Sequence, residues 1–159
     1  CGEDSEKTKE LMEELKTTGK YTITPEMKEK LADFAAGYST EEETAEGIHD
    51  TYQKTGYVMD THTAVAAHVC GQYRAKSGDQ TKCVIASTAS PYKFVKSVMS
   101  AIDAENANAD EFDLLPKLQE VSGVPMPQAI KDILDVKVLH DLECDADKMK
   151  DTVKGILGV

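Results

Sequence analysis

Two short polar turns hold the side chains in this sequence that could do chemistry. The first is residues 60–63 (Asp-Thr-His-Thr), and the second is residues 87–93 (Ser-Thr-Ala-Ser-Pro-Tyr-Lys). Each follows an apolar run that predicts a strand and precedes a run that predicts a helix. In open α/β sheets, ligands bind beyond the carboxyl ends of strands, where a helix N-terminus offers free N–H groups to an anion. Both turns are therefore candidate ligand sites.

Helix capping explains part of the first turn. Asp60 or Thr61 can cap the following helix by accepting hydrogen bonds from its first N–H groups. His62 is less easily explained as a cap, and we interpret it as a polar residue that faces a cleft. We therefore place Asp60 and His62 near a cleft, with capping as the simpler interpretation of Asp60.

The second turn contains more hydroxyl groups than one cap requires. Ser90 is the expected cap, because Pro91 suits the first position of a helix. Ser87 and Thr88 lie at the end of the predicted strand without a capping role, which favours contact with a ligand. Lys93 lies close to the positive end of the helix dipole, so it is either a surface cation or a ligand contact.

The first 55 residues predict a three-helix segment. The second helix begins at residues 24–26 (Thr-Pro-Glu), where a cap, a proline and a carboxylate follow one another. The third begins at residues 39–42 (Ser-Thr-Glu-Glu), which match the capping-box pattern.

Residues 56–159 predict an α/β part. Short extended runs are expected at residues 57–59 and 82–86, with a possible third strand at 136–139, and helices follow the first two runs. Alternation of this kind is typical of a parallel sheet. The predicted fold class is thus α/β, helix-rich with a small parallel strand group.

Composition excludes several classes of function. The formal net charge is -11, from 18 Lys and Arg against 29 Asp and Glu, which opposes binding to nucleic acid or to anionic membranes. Apolar stretches are shorter than the ~20 residues that span a bilayer. The four cysteines contain no CxxC pair and form no zinc spacing with the four histidines, so we expect free thiols, no metal and a cytoplasmic location.

The two turns and their flanks carry a family resemblance. Residues 56–66 (Gly-Tyr-Val-Met-Asp-Thr-His-Thr-Ala-Val-Ala) resemble the threonine synthase pattern G-Y-x-x-D-P-H-T-A-V-A. Residues 87–94 (Ser-Thr-Ala-Ser-Pro-Tyr-Lys-Phe) resemble its second pattern, x-T-A-x-P-x-K-F. The helical segment 1–55 and the tail after 104 look like the bacterial and fungal branch, so the resemblance covers the whole chain.

The resemblance implies a fold-type-II pyridoxal-phosphate enzyme that converts O-phospho-L-homoserine and water into L-threonine and phosphate. The cofactor acts as an electron sink. Thr88 would present its hydroxyl to the pyridine nitrogen, with Ser87 beside it in the cofactor site. Asp60, His62 and Lys93 would lie near the active-site cleft.

Two departures from the family pattern bear on activity. Thr61 stands where the pattern has proline, which loosens the turn. The family's Schiff-base lysine and Gly-rich phosphate loop belong to an earlier part of the chain, and no lysine here has the matching context, Lys93 included. We therefore expect a C-terminal fragment that carries one wall of the site, lacks bound cofactor and is inactive without the rest of the enzyme.

Two alternatives remain open, and one consequence follows for the surface. The chain could be a non-catalytic α/β binding or interaction domain, or part of a related phospholyase that stops after elimination. Two or three strands leave at least one sheet edge unpaired, with an apolar patch beside residues 57–60 and 82–88. We expect the isolated chain to self-associate there, unless its helices close over the gap.

Overall fold

The fold consists of helices without a β-strand. The computed structural model describes residues 1–159. The α-helices are α1 (Ser5–Thr18), α2 (Pro25–Lys30), α3 (Glu41–Thr55), α4 (Thr61–Ser77), α5 (Val95–Ile102), α6 (Glu111–Ser122), α7 (Gln128–Leu134) and α8 (Met149–Leu157). Short 3-10 turns at Pro91–Phe94, Ala104–Asn108 and Ala146–Lys148 connect some of them.

The three predicted N-terminal helices are confirmed, and local capping explains where two of them start. Thr24 accepts a hydrogen bond from the Met27 N–H at 3.3 Å, with Pro25 at the first helical position. The cap of α3 is Thr40, one residue later than the predicted box. Its N–H donates to the Glu43 carboxylate at 2.8 Å, and this bond lowers the pKa of Glu43.

The predicted parallel strand group is wrong. Residues 82–86 are exposed, and none of their backbone groups pairs with another backbone group. Residues 136–139 are exposed in the same way. A strand requires a partner to complete its hydrogen-bond ladder. The β-branched residues in these two runs indicate only a local preference for extended backbone. Neither run has a second strand beside it with which to form a sheet.

The core is formed by four helices and the turns between them. α3 packs against α4 and α5, and α5 packs in turn against α6. Residues 57–59, predicted as a strand, instead feed Val58 and Met59 into this helical core. The buried cluster comprises Ile48, Val58, Met59, Ala64, Tyr92, Val95, Val98, Met99, Leu114, Leu115, Leu118 and Met126.

Much of the remaining chain stays exposed. Only 17 of 159 residues are buried, and the accessible surface is 12460 Å². A compact monomer of this mass would expose about 7,800 Å². The excess surface includes apolar side chains such as Phe34, Val84 and Leu139. No helix has the length and apolar character needed to cross a membrane.

Candidate functional site

The two polar turns lie against each other. Thr63, in the first turn of α4, has its hydroxyl oxygen 3.0 Å from that of Ser87 in the second turn. The Ser87 hydroxyl is also 3.5 Å from the Asp60 carboxylate. The site therefore joins side chains that are 24 and 27 residues apart in sequence.

Asp60 is the centre of this contact. Its carboxylate accepts hydrogen bonds from the backbone N–H groups of His62 at 2.9 Å and Thr63 at 3.2 Å, which confirms the capping interpretation. The Thr63 hydroxyl donates to the second carboxylate oxygen. Asp60 is only 1% exposed, so these donors replace the water that the carboxylate loses on burial.

The direction of the hydroxyl bonds follows from the number of protons. A hydroxyl has one proton to donate, and an ionised carboxylate can only accept. Thr63 therefore donates to Asp60, and Ser87 donates to the Thr63 oxygen. This series of hydrogen bonds, from Ser87 through Thr63 to Asp60, fixes the position of the second turn relative to the start of α4.

A segment that we name the return segment, residues 79–88, connects the two turns. It leaves the end of α4 and runs back along that helix. At its start, the Tyr73 hydroxyl donates to the Asp79 carboxylate at 3.1 Å, and the Arg74 guanidinium donates to the Thr81 carbonyl at 2.5 Å.

Further along, the return segment contacts earlier turns of α4. The Cys70 and Cys83 sulfurs are 3.0 Å apart, and the Ser87–Thr63 contact follows. As the segment advances from 83 to 87, its partners on α4 recede from 70 to 63. The return segment is thus antiparallel to α4 and is held by side chains rather than by a sheet.

His62 and Lys93 share one neighbour, Phe94. The His62 and Phe94 rings meet edge to face, with centroids 5.0 Å apart and planes at 90°. The Lys93 ammonium lies 5.5 Å from the centre of the Phe94 ring. Both His62 and Lys93 are exposed, so they form a cationic and aromatic rim beside the Asp60 cluster.

Tyr92 fixes the other side of the second turn. The expected cap is confirmed, because Ser90 accepts from the Tyr92 N–H at 3.3 Å. The Tyr92 ring is buried, and its hydroxyl donates to the Val124 carbonyl at 2.6 Å. Burial raises the pKa of Tyr92, so the hydroxyl keeps its proton. The turn is anchored at both ends.

Thr88 differs from its neighbours because its side chain forms no hydrogen bond and is exposed. It is separate from the Asp60 cluster, although Ser87 beside it belongs to that cluster. A free hydroxyl on an anchored turn is the kind of group that can bond a heteroaromatic nitrogen. The contact with a cofactor that the family pattern implies for Thr88 stays a prediction.

Sequence reasoning did not single out Thr63, Tyr92 or Phe94. The spacing Asp60-x-x-Thr63 was a usable signal, because a side chain at the third helical position lies within reach of the cap. The Tyr92–Val124 contact had no such signal, since it spans 32 residues.

A separate cleft lies away from the two turns. It has a volume of about 590 Å³ and lies between residues 35–38 and the face of α4 that carries Val69, Gln72 and Tyr73. None of its lining residues belongs to the two turns. His62, Ser87, Thr88 and Lys93 are exposed, so the candidate site is an open surface.

Comparison with known proteins gives consistent matches. The family model described as threonine synthase, C-terminal, matches residues 63–153. The chain is 30% identical over 146 residues to threonine synthase of Saccharomyces cerevisiae and 33% identical over 151 residues to that of Schizosaccharomyces pombe. It is 31% identical over 126 residues to human threonine synthase-like 1.

The chain corresponds to only part of each relative. The alignments cover 87% of this chain in both yeast comparisons and 79% in the human one. They cover 28%, 29% and 17% of the relatives, respectively. The family model includes the whole second turn and the last residue of the first turn, Thr63.

Proposed function

Because the chain belongs to the threonine synthase C-terminal family, we propose that it is the C-terminal portion of an enzyme that makes L-threonine and phosphate from O-phospho-L-homoserine and water with pyridoxal phosphate. This is a carbon–oxygen lyase reaction on a phosphate ester and the last step of threonine biosynthesis. Its proposed location is the cytoplasm.

The observation that carries the proposal is the convergence of the two motif turns. Thr63 and Ser87 are 3.0 Å apart, so the patterns that resemble the family occupy one surface. A buried carboxylate holds them together, and the adjacent Thr88 hydroxyl has no partner within the chain. A preorganised turn that presents a free hydroxyl is what a cofactor-binding wall requires.

We assign Thr88 to the pyridine nitrogen of the cofactor. When bound, pyridoxal phosphate supplies an electron sink for carbanions of the substrate. Thr88 tunes that capacity, because a neutral hydroxyl does not enforce protonation of the ring nitrogen as a carboxylate would. Ser87 lies beside it and, through Thr63 and Asp60, keeps the turn in place.

Asp60, His62 and Lys93 have positional roles in this proposal. Asp60 orders the start of α4, whereas the exposed His62 and Lys93 would line one side of a cleft that the rest of the enzyme completes. The Lys93 ammonium is exposed beside the Phe94 ring. Because it lies at the surface, it can contact an anionic substrate. The rest of the enzyme supplies the Schiff-base lysine and the phosphate loop, so this chain alone should be inactive.

The test is the Thr88→Ala variant of the longer enzyme that carries this chain. Loss of one hydroxyl hydrogen bond costs about 0.5–1.5 kcal/mol, so cofactor affinity or turnover should fall about 2- to 13-fold. Thr88→Ser is the matched control, because it keeps the hydroxyl and should retain most of the activity. Unchanged affinity and turnover in Thr88→Ala would remove this residue from the site.

Product analysis separates the synthase from its nearest alternative. Threonine and phosphate in equal amounts support the proposal. Phosphate without threonine would instead indicate a phospholyase that stops after elimination. Absence of any turnover in the longer enzyme, with cofactor supplied, would favour a non-catalytic binding domain.

A further inference from the structure

Two cysteines lie in contact where the return segment crosses α4. The sulfurs of Cys70 and Cys83 are 3.0 Å apart, and both are free thiols. Cys70 is half-buried on α4, whereas Cys83 is exposed on the return segment. A disulfide bond needs sulfurs about 2.05 Å apart, so the two sulfurs must approach each other by about 1 Å for the bond to form.

The surrounding contacts keep the two thiols together. The Arg74–Thr81 and Tyr73–Asp79 bonds hold the return segment on one side of Cys83, and Ser87 holds it on the other. Neither thiol has to search for its partner, so reaction within the chain is favoured over reaction between chains.

We propose that Cys70 and Cys83 form a reversible dithiol–disulfide site that hydrogen peroxide oxidises. The exposed Cys83 sulfur attacks peroxide as the thiolate, the O–O bond breaks, and a sulfenic acid and water form. The Cys70 sulfur then attacks that sulfur, the S–S bond forms, and the S–O bond breaks to release a second water. Two thiols lose two electrons in total, and one peroxide is reduced to two waters.

The electrostatic environment favours the protonated form of Cys83. The hydrogen bond with Cys70 raises the pKa of Cys83, and desolvation acts in the same direction. Asp79 also raises this pKa, whereas Arg74 opposes it. Because the thiolate is the reacting form, oxidation by peroxide should be slow at neutral pH and should become faster as the pH rises.

Oxidation would fix the return segment covalently to α4, four residues before Ser87 and five before Thr88. That effect on the cofactor wall rests on the proposed function, but formation of the bond does not. The thiol measurement below can therefore succeed or fail independently of the Thr88 experiment.

The experiment uses the 159-residue chain with Cys1→Ser and Cys144→Ser, which leaves only the proposed pair. Hydrogen peroxide should remove both thiols per chain, lower the intact mass by about 2 Da and leave the chain monomeric on a non-reducing gel. Tryptic digestion should then link peptide 55–74 to peptide 83–93, and dithiothreitol should release them.

Cys83→Ser in the same background is the matched control. Its single remaining thiol should give no internal link and no 2 Da loss. The unsubstituted chain, mapped in the same way, should show the same linked peptides. This control shows that the result does not arise from a folding defect caused by the cysteine substitutions. Sulfinic acid on either cysteine, persistent free thiols or links only between chains would overturn the proposal.

Discussion

Asp60 caps α4 and also connects that helix to the second turn. Two backbone N–H groups and the Thr63 hydroxyl donate to its carboxylate, and Ser87 reaches it through Thr63. The side chain is 1% exposed, so each of these donors stands in for water. A single residue thereby couples the beginning of α4 to the second turn.

Asp60→Ala should lower the free energy of unfolding by about 1–3 kcal/mol, because it removes a helix cap and leaves the Thr63 hydroxyl without its acceptor. Asp60→Asn keeps the acceptor oxygen and should lose less than half as much. Urea denaturation followed by circular dichroism measures both. Equal stability of Asp60→Ala and the unsubstituted chain would show that the cap contributes nothing.

At the scale of elements, the approach of residues 35–38 to α4 is unusually close. A Cβ atom built on Gly37 would lie 3.0 Å from Val69 Cγ1 and 3.0 Å from Gln72 Oε1. Gly47, inside α3, has nothing within 4 Å of its position for a Cβ atom. The two glycines therefore offer a matched pair for testing this packing.

Gly37→Ala should loosen residues 31–38 from α4 at a cost of about 1 kcal/mol, whereas Gly47→Ala should stabilise α3 by about 0.5–1 kcal/mol. Trypsin cleavage after Lys30 reports the loosening and should become about fivefold faster in Gly37→Ala. No acceleration is expected in Gly47→Ala. The same cleavage rate in both variants would argue against close packing at Gly37.

The helices were predictable because their signals are local. The start of α2 is specified by Thr24 and Pro25, and the start of α3 by the residues around Thr40, so each signal lies within about four residues of sequence. In the structure, both helices begin within one residue of the predicted position. The prediction of strands was wrong because it rested on local composition. Residues 82–86 include apolar and β-branched side chains, but no partner strand lies beside them, and local sequence does not report that absence. The turns were found as motifs, but their convergence depends on Thr63–Ser87, a contact that no local pattern specifies.

At the scale of the whole molecule, the exposed apolar surface stands out. The accessible area of 12460 Å² exceeds the about 7,800 Å² of a compact monomer of this mass. Val84 is 88% exposed and Ile85 38%, whereas Val58, expected in the same patch, is 5% exposed. The patch beside the return segment is thus present but smaller than the sequence indicated.

The isolated chain should self-associate through this patch, since unpaired extended backbone and exposed apolar side chains both favour association. Light scattering across a concentration series should give a rising mean mass. Val84→Asp should weaken that association, because it places a charge on the unpaired segment. Phe112→Asp, at a 56% exposed site on α6, is the control and should leave it unchanged. A chain that stays monomeric at every concentration would contradict this.

The absence of backbone pairing in the return segment also affects how fast another strand could dock there. Residues 82–88 commit no backbone N–H or carbonyl group to another backbone group, so an incoming strand displaces none of the molecule's own ladder. An added strand would therefore break none of the segment's own backbone hydrogen bonds, while the contacts of Cys83 and Ser87 keep the segment on α4. The speed of docking would therefore be set by diffusional encounter and orientation.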